Sequence, residues 1–557
     1  MTTDQPTIAR ISSLAAAPRW IPGLAVRFTV AICLILIVVV RTLPRIDRMP
    51  APLNDMAVAN ILTLIFAFLA AMTLLCWFSF VSSYSAGWRR GLLIGAIALA
   101  GLFVVSIVLA HFQIPMPVRY VGVDGNMVPR FEPGWSPAAD QVVGKLQPVA
   151  HDARADLTTT TDDDFPQFLG PNRDCYLPGP ELSGDWAASP PKLLWKRPIG
   201  AGWSGFAAVN GFAVTLEQRG DQEWVACYEI ATGKPVWGHA IEARHYNPLG
   251  GLGPRSTPTL HGGRVYALGA TGVLRCLDGQ TGKLLWKDDL RKRYGLSDAA
   301  DEALVSWGRA ASPLIVDALV VVPAGGLEGK AKSLVAFRAE TGEVAWQGGN
   351  DQIGYASPAL ATLAGVRQIL SVNEATASGH DPKTGEVLWS HPWPGHSNQD
   401  ACASQPVALA GDRVLLSKGY GGGAEVISLA TTGGGKLTAK TVWADRLVLE
   451  TKFTNVTVID GHIYGLSGGI LECVAAESGE RRWKKGRYGH GQILGVGDKI
   501  LVQDEDGLVA LVEANPEKFV ELASFPALDG QTWNNLCLYG NKLLVRNATE
   551  AACYELP

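Results

Sequence analysis

Seven residues carry the side chains best suited to hold a ligand: Trp203, Arg255, Trp307, Arg309, Tyr355, His490 and Trp533. Each stands at or beside the start of a β-rich segment. Aromatic faces stack on planar groups and cations, guanidinium groups fork onto carbonyls and carboxylates, and an imidazole titrates near neutral pH. Such a set can bind a small molecule or a peptide. It can equally plug a channel and bond the neighbouring backbone. It contains no nucleophile–base pair, so no catalytic residue and no metal ligand is assigned.

Other catalytic spacings are missing. The nine cysteines include no Cys-x-x-Cys and no adjacent pair. Cys33 and Cys76 lie in apolar stretches, and the other seven are scattered, which fits small buried hydrophobes. No Gly-x-Ser-x-Gly, phosphate loop or His-Glu-x-x-His occurs. The run Gly421-Gly-Gly423 is not followed by Lys-Ser/Thr and reads as a hairpin turn. Asp162-Asp-Asp164 lacks the alternating ligands and glycine of a calcium loop.

What brings the seven residues together is a repeat. One phrase recurs, as Ala231-Thr-Gly-Lys-Pro-Val-Trp237, Gln280-Thr-Gly-Lys-Leu-Leu-Trp286, Glu340-Thr-Gly-Glu-Val-Ala-Trp346, Lys383-Thr-Gly-Glu-Val-Leu-Trp389 and Glu477-Ser-Gly-Glu-Arg-Arg-Trp483. A degenerate copy runs from Thr432-Gly433 to Trp443. The glycine makes a hairpin turn at positive φ, and a second hairpin lies upstream, as around His261-Gly-Gly263. Each unit is therefore four short antiparallel strands with Trp on the outermost. From Trp195 to Trp483 these tryptophans fall 40 to 60 residues apart, the length of a propeller blade plus variable loops. Wedged between blades, each would bury about 200 Å². Inner strands begin after Trp203, Arg255, Arg309, Tyr355, Ala401, Phe453, Gly489 and Thr532, which predicts eight blades. The last unit has room for three strands, so 192–198 is expected to complete it and close the ring. The seventh unit, about 490–530, lacks the Trp. Residues just before the inner strands then converge on one mouth of the channel.

Three apolar stretches precede the repeat, at about 20–40, 57–81 and 91–110, each close to the ~20 residues of a spanning helix. They predict a transmembrane anchor over 1–112, followed by a Pro/Thr/Asp-rich linker over 113–164 and the propeller over 165–557. The first 112 residues hold eight Arg, three Asp and no Lys or Glu. Taking these from 48 basic and 52 acidic residues leaves 40 against 49 for the remainder. That balance offers no global positive field, and no nucleic-acid partner is expected. With three spans, five arginines flank each side, so charge does not orient the anchor.

The Thr-Gly-x-x-x-Trp phrases, together with Phe165-Pro-Gln-Phe-Leu-Gly-Pro-Asn-Arg173, Gly253-Pro-Arg-Ser-Thr-Pro258 and Trp307-Gly-Arg-Ala-Ala-Ser-Pro313, resemble the bacterial PQQ-like (pyrroloquinoline quinone repeat) β-propeller proteins over roughly 165–557. That family includes quinoprotein dehydrogenases and the propeller lipoprotein of the outer-membrane assembly machinery. The resemblance implies an all-β, eight-bladed propeller facing the periplasm or exterior, tethered by three helices to the bacterial inner membrane. It leaves two functions. One is a binding or scaffolding module for a protein or cell-envelope partner, with no cofactor. The other is a PQQ-dependent dehydrogenase, with calcium, passing electrons to a membrane quinone. Against the second, the chain lacks the vicinal Cys-Cys many of these enzymes stack on the cofactor and the Trp-Asp-x-Asp segment of their active site. The expectation is therefore the scaffold.

Overall fold

A computed structural model of the chain describes residues 19–45, 53, 55–111, 118–144, 154–433 and 436–557. It divides into a helical unit and a β-sheet unit.

In the helical unit, α1 spans Leu24–Thr42, α2 Met56–Cys76 with a π-turn to Val81, and α3 Ala86–His111. Within it, Arg41 donates to Asn60 Oδ1 at 2.6 Å, and Trp20 meets Tyr84 edge-on at 5.2 Å. Leu24–Thr42 and Met56–Val81 have mean hydropathies of 2.5 and 2.4 and are long and apolar enough to cross a membrane. Among the described residues the expected three spans are thus met by two; α3 is helical but is not counted with them.

The β-sheet unit contains eight blades of four antiparallel strands, which in seven of them follow chain order from the axis outward; one of these sheets gains a fifth, parallel strand on its inner edge. Neighbouring innermost strands, such as Ala207–Val209, Thr259–His261 and Leu314–Val316, lie side by side. We number the blades 1 to 8 from Ala207. Lys192–Pro198 pairs antiparallel with Glu550–Glu555 as the outer strand of blade 8, so the two ends of the ring are joined by backbone hydrogen bonds.

The repeated phrase acts between blades. In each blade the outer pair of strands carries a bulge at the same place, and in seven of the eight a Trp sits just beside it, opposite Cys227, Cys276, Cys473 or Cys553 in four. A small side chain there leaves room for the indole. Trp237 Nε1 donates to Gly279 O of the next blade at 2.9 Å, and a Cβ on Gly282 would fall 2.5 Å from its ring. Trp195, Trp286, Trp346 and Trp443 lie equally close to Gly233, Gly342, Gly385 and Gly479. Glycine is required there twice over, by its positive φ and by the indole above it. Trp389 differs. The next blade has only the degenerate phrase, and Trp389 turns onto Gln368 Oε1 of its own sheet. In blade 7, Ala523 takes the Trp position, and Trp186, from the segment before the ring, packs edge-on against Phe525 at 5.4 Å.

Around the axis the blades are stitched by hydroxyls. Gly205 N donates to Thr257 Oγ1, Thr257 N to Ser312 Oγ, and Ser312 N to Ser357 Oγ, at 2.9 to 3.2 Å. Between blades 1 and 2 a fully buried ion pair, Glu223–Arg275, closes at 2.6 Å.

The stretch expected to be a linker is in part folded onto the β-unit. Val118–Val123 and Pro129–Pro133 form a hairpin, and residues 154–186 cross the face opposite the mouth. Proline-rich sequence has little apolar surface of its own to bury. Here its order comes from docking on the ring.

Candidate functional site

The strands fix what faces the mouth. An inner strand runs from the mouth to the opposite face and the second strand returns, so two sets of loops line the mouth: those before each inner strand and the turns between second and third strands. The residues expected at the mouth from the sequence all belong to the first set. The second contributes Tyr420 and Glu505, and the first also contributes Phe453 and Lys452. Turn signals marked both sets of loops, but nothing local distinguished a turn at the mouth from one at the far face.

Of the seven expected residues, Trp203 and Trp533 meet at 4.9 Å, Phe453 lies 5.0 Å from Trp533, and His490 lies 5.7 Å from Phe453. Across the mouth, Trp307 stacks on Tyr355 at 5.5 Å and on Tyr420 at 6.5 Å. Arg255 donates to the carbonyls of Gly250, Gly251 and Gly253, so its fork holds the 244–252 loop over the ring. Burial pulls its guanidinium down to about 10. Trp203 Nε1 bonds Gly250 O of the same loop at 2.8 Å. Arg309 is not part of this surface. It is buried against Asp301 at 2.6 Å and Ala324 O at 2.7 Å, in the wall of blade 3.

The hairpin turn Asp124-Gly-Asn-Met127 packs against the mouth. Glu505, 5% exposed, accepts from Gly125 N at 2.6 Å and Trp533 Nε1 at 2.8 Å on one oxygen, and from His490 N at 3.1 Å on the other. Lys452 Nζ donates to Gly125 O at 3.0 Å, Gln531 Nε2 to Val123 O at 2.8 Å, and His490 Nε2 lies 3.2 Å from Asn126 Oδ1. Burial, aided by the Lys452 charge, drives His490 well below the usual imidazole range, so it is neutral here. Lower on the stem, Tyr120 OH donates to Pro248 O and Arg130 pairs with Asp506.

The far end of the channel is also closed. Phe165 bridges to Ala208, Leu260 N donates to Pro166 O, and Arg173 donates to Ser312 O and Pro313 O. Tyr176–Leu177 then runs parallel to the inner strand of blade 7. The Phe165–Arg173 sequence is the floor of the channel.

A family model described as outer membrane protein assembly factor BamB matches residues 192–485, more than half of the chain. The chain belongs to that family. Outer membrane protein assembly factor BamB of Yersinia pestis is 24% identical over 320 residues, covering 54% of this chain and 69% of that protein. Among solved structures, quinohemoprotein alcohol dehydrogenase ADHIIG of Pseudomonas putida HK5 matches with TM-score 0.52 and 14% identity, over 72% of this chain and 83% of its own. The quinohemoprotein alcohol dehydrogenase of Comamonas testosteroni gives 0.50 and 13%, over 72% and 81%. At such identity these likenesses establish the eight-bladed fold alone.

The dehydrogenase likeness raises a test of the cofactor against the residues present. PQQ with calcium needs a cluster of oxygen ligands at the axis. Among the described residues no group of three or more His, Cys, Asp or Glu is placed to hold a metal ion. Glu505 is engaged with three N–H donors and Arg255 with three carbonyls. This donor set does not fit the group.

Proposed function

We propose that the protein is an extracytoplasmic scaffold, an eight-bladed propeller tethered to the bacterial inner membrane by α1 to α3, which binds a protein partner of the cell envelope. The observation that carries this reading is the chemistry of the mouth. Arg255, Trp203, Glu505, Lys452 and Gln531 all engage polypeptide backbone, and they form a surface that recognises peptide units. Family membership agrees, since the matched relative is named as an assembly factor. A nucleic-acid partner is not expected, since the chain beyond residue 112 is net acidic and offers no global positive field.

A photocrosslinking residue in place of Leu249, an exposed position on the loop above Trp203, tests this in intact cells. A discrete adduct with one envelope protein, identified by mass spectrometry and lost with the crosslinker moved to exposed Leu285 on the rim of blade 2, is the expected result. Dye reduction with alcohols or sugars after adding PQQ and calcium to the purified chain would overturn the reading.

A further inference from the structure

Gly125 is read by the mouth in three ways. Its N–H is taken by Glu505 and its carbonyl by Lys452, so both sides of one residue's backbone are gripped. Its missing side chain matters as well. A Cβ there would lie 2.2 Å from Cδ2 and 2.5 Å from Cγ of His490. His490 is 1% exposed, with Phe453 beside it and its backbone N–H on Glu505, and has no room to retreat. His490 Nδ1 is also buried without a hydrogen-bond partner among the described residues. Gly125 does not adopt a positive φ, so steric exclusion by His490 sets the requirement for glycine at this place.

The other contacts to the turn are nearly blind to sequence. Gln531 takes the Val123 carbonyl, and Asn126 is met through its side chain. The stem, by contrast, is exposed at Val118, Tyr120, Val128 and Phe131, and an exposed Arg130–Asp506 pair contributes at most about 1 kcal/mol. The tip is held specifically and the stem loosely, which is the arrangement of a ligand on a tether.

We propose that the propeller mouth is a recognition site for a glycine-centred turn of a polypeptide, and that the chain's own 124–127 turn occupies it as a displaceable resident ligand. This rests on the scaffold reading and names the chemistry of its partner: an extracytoplasmic protein presenting a turn with glycine at its tip, able to offer N–H and C=O to Glu505 and Lys452. A partner turn enters when the resident hairpin lifts, so its apparent affinity is reduced by the fraction of time the site is filled.

The test uses the full chain in detergent and a cyclised, fluorescent peptide of the Val118–Pro133 sequence. The wild-type chain binds it weakly. Gly125→Ala in the chain expels the resident turn, and the peptide then binds at least tenfold more tightly. A peptide with Ala in place of Gly125 binds at least tenfold worse than its parent. Adding Lys452→Met or Glu505→Gln to the Gly125→Ala chain abolishes the gain. A second route loosens only the stem: the double variant Tyr120→Phe, Arg130→Ala raises peptide affinity severalfold without touching the site. Equal binding of the Gly and Ala peptides, or no gain in either opened chain while the melting temperature holds, overturns the proposal. A chain that crosslinks an envelope protein in cells yet ignores the peptide keeps the scaffold reading and loses this one.

Discussion

At the floor of the channel, Phe165, Leu169, Arg173, Cys175 and Leu177 are buried against the blades, with Phe165 in the hydrophobic core and Tyr176–Leu177 added to a sheet. At the mouth, the hairpin tip meets the ring through hydrogen bonds with Glu505, Lys452, Gln531 and His490, while its stem is largely exposed and held by Tyr120 on Pro248 O and Arg130 on Asp506. Both ends are closed by segments preceding the ring, but by different forces. Apolar burial makes a floor that leaves only when the ring unfolds. A few polar contacts, each worth about 0.5–1.5 kcal/mol net, make a cover that can open locally. The difference assigns structure to one end and exchange to the other.

The sharpest way to break the comparison is a cavity in the floor. Phe165→Ala should cost about 3–5 kcal/mol, visible as a large fall in the denaturant midpoint. A small change there would mean that the floor is no more integral than the mouth.

Acid should act next, and two of its targets lie at the mouth. His490 lies far below its ordinary value through burial, and His245, in the loop over the mouth, is pulled to about 3 by burial and then by the Arg255 charge. Both folded values lie under the unfolded value near 6.5, so below that pH the unfolded or undocked chain binds more protons. Their contribution is complete above pH 6.5 and shrinks as pH falls toward the folded values. The melting temperature should decline from pH 7 to pH 5, and His490→Gln should flatten that slope. An unchanged slope would place the acid sensitivity elsewhere.

Smallest in stability is the mouth variant itself. Gly125→Ala should shift global unfolding by no more than about 1 kcal/mol, since it releases a cover without opening the ring. A loss equal to that of Phe165→Ala would make the hairpin part of the folded core.

The ring was legible because its information is local. A turn glycine and a Trp four residues later mark five of the outer hairpins, and the cysteines opposite the Trp fit the expected role of small buried side chains. The Trp missing from blade 7 was also legible, but not its substitute, because Trp186 arrives from outside the repeat. At the mouth, the residues ahead of the inner strands could be aligned on a shared pattern, whereas Glu505 and Tyr420 sit in turns with none. The hairpin was invisible for a deeper reason. Gly125 meets Glu505 across 380 positions, and nothing periodic in the Pro-rich stretch records that meeting.

Hydrogen–deuterium exchange on the full chain tests the central claim most directly, by comparing amides of 118–133 with those of 165–177. Gly125 and its neighbours should exchange through local opening, much faster than the floor, and Glu505→Gln should speed them further while the floor is unmoved. Equal protection of both segments, lost together only on global unfolding, would contradict it.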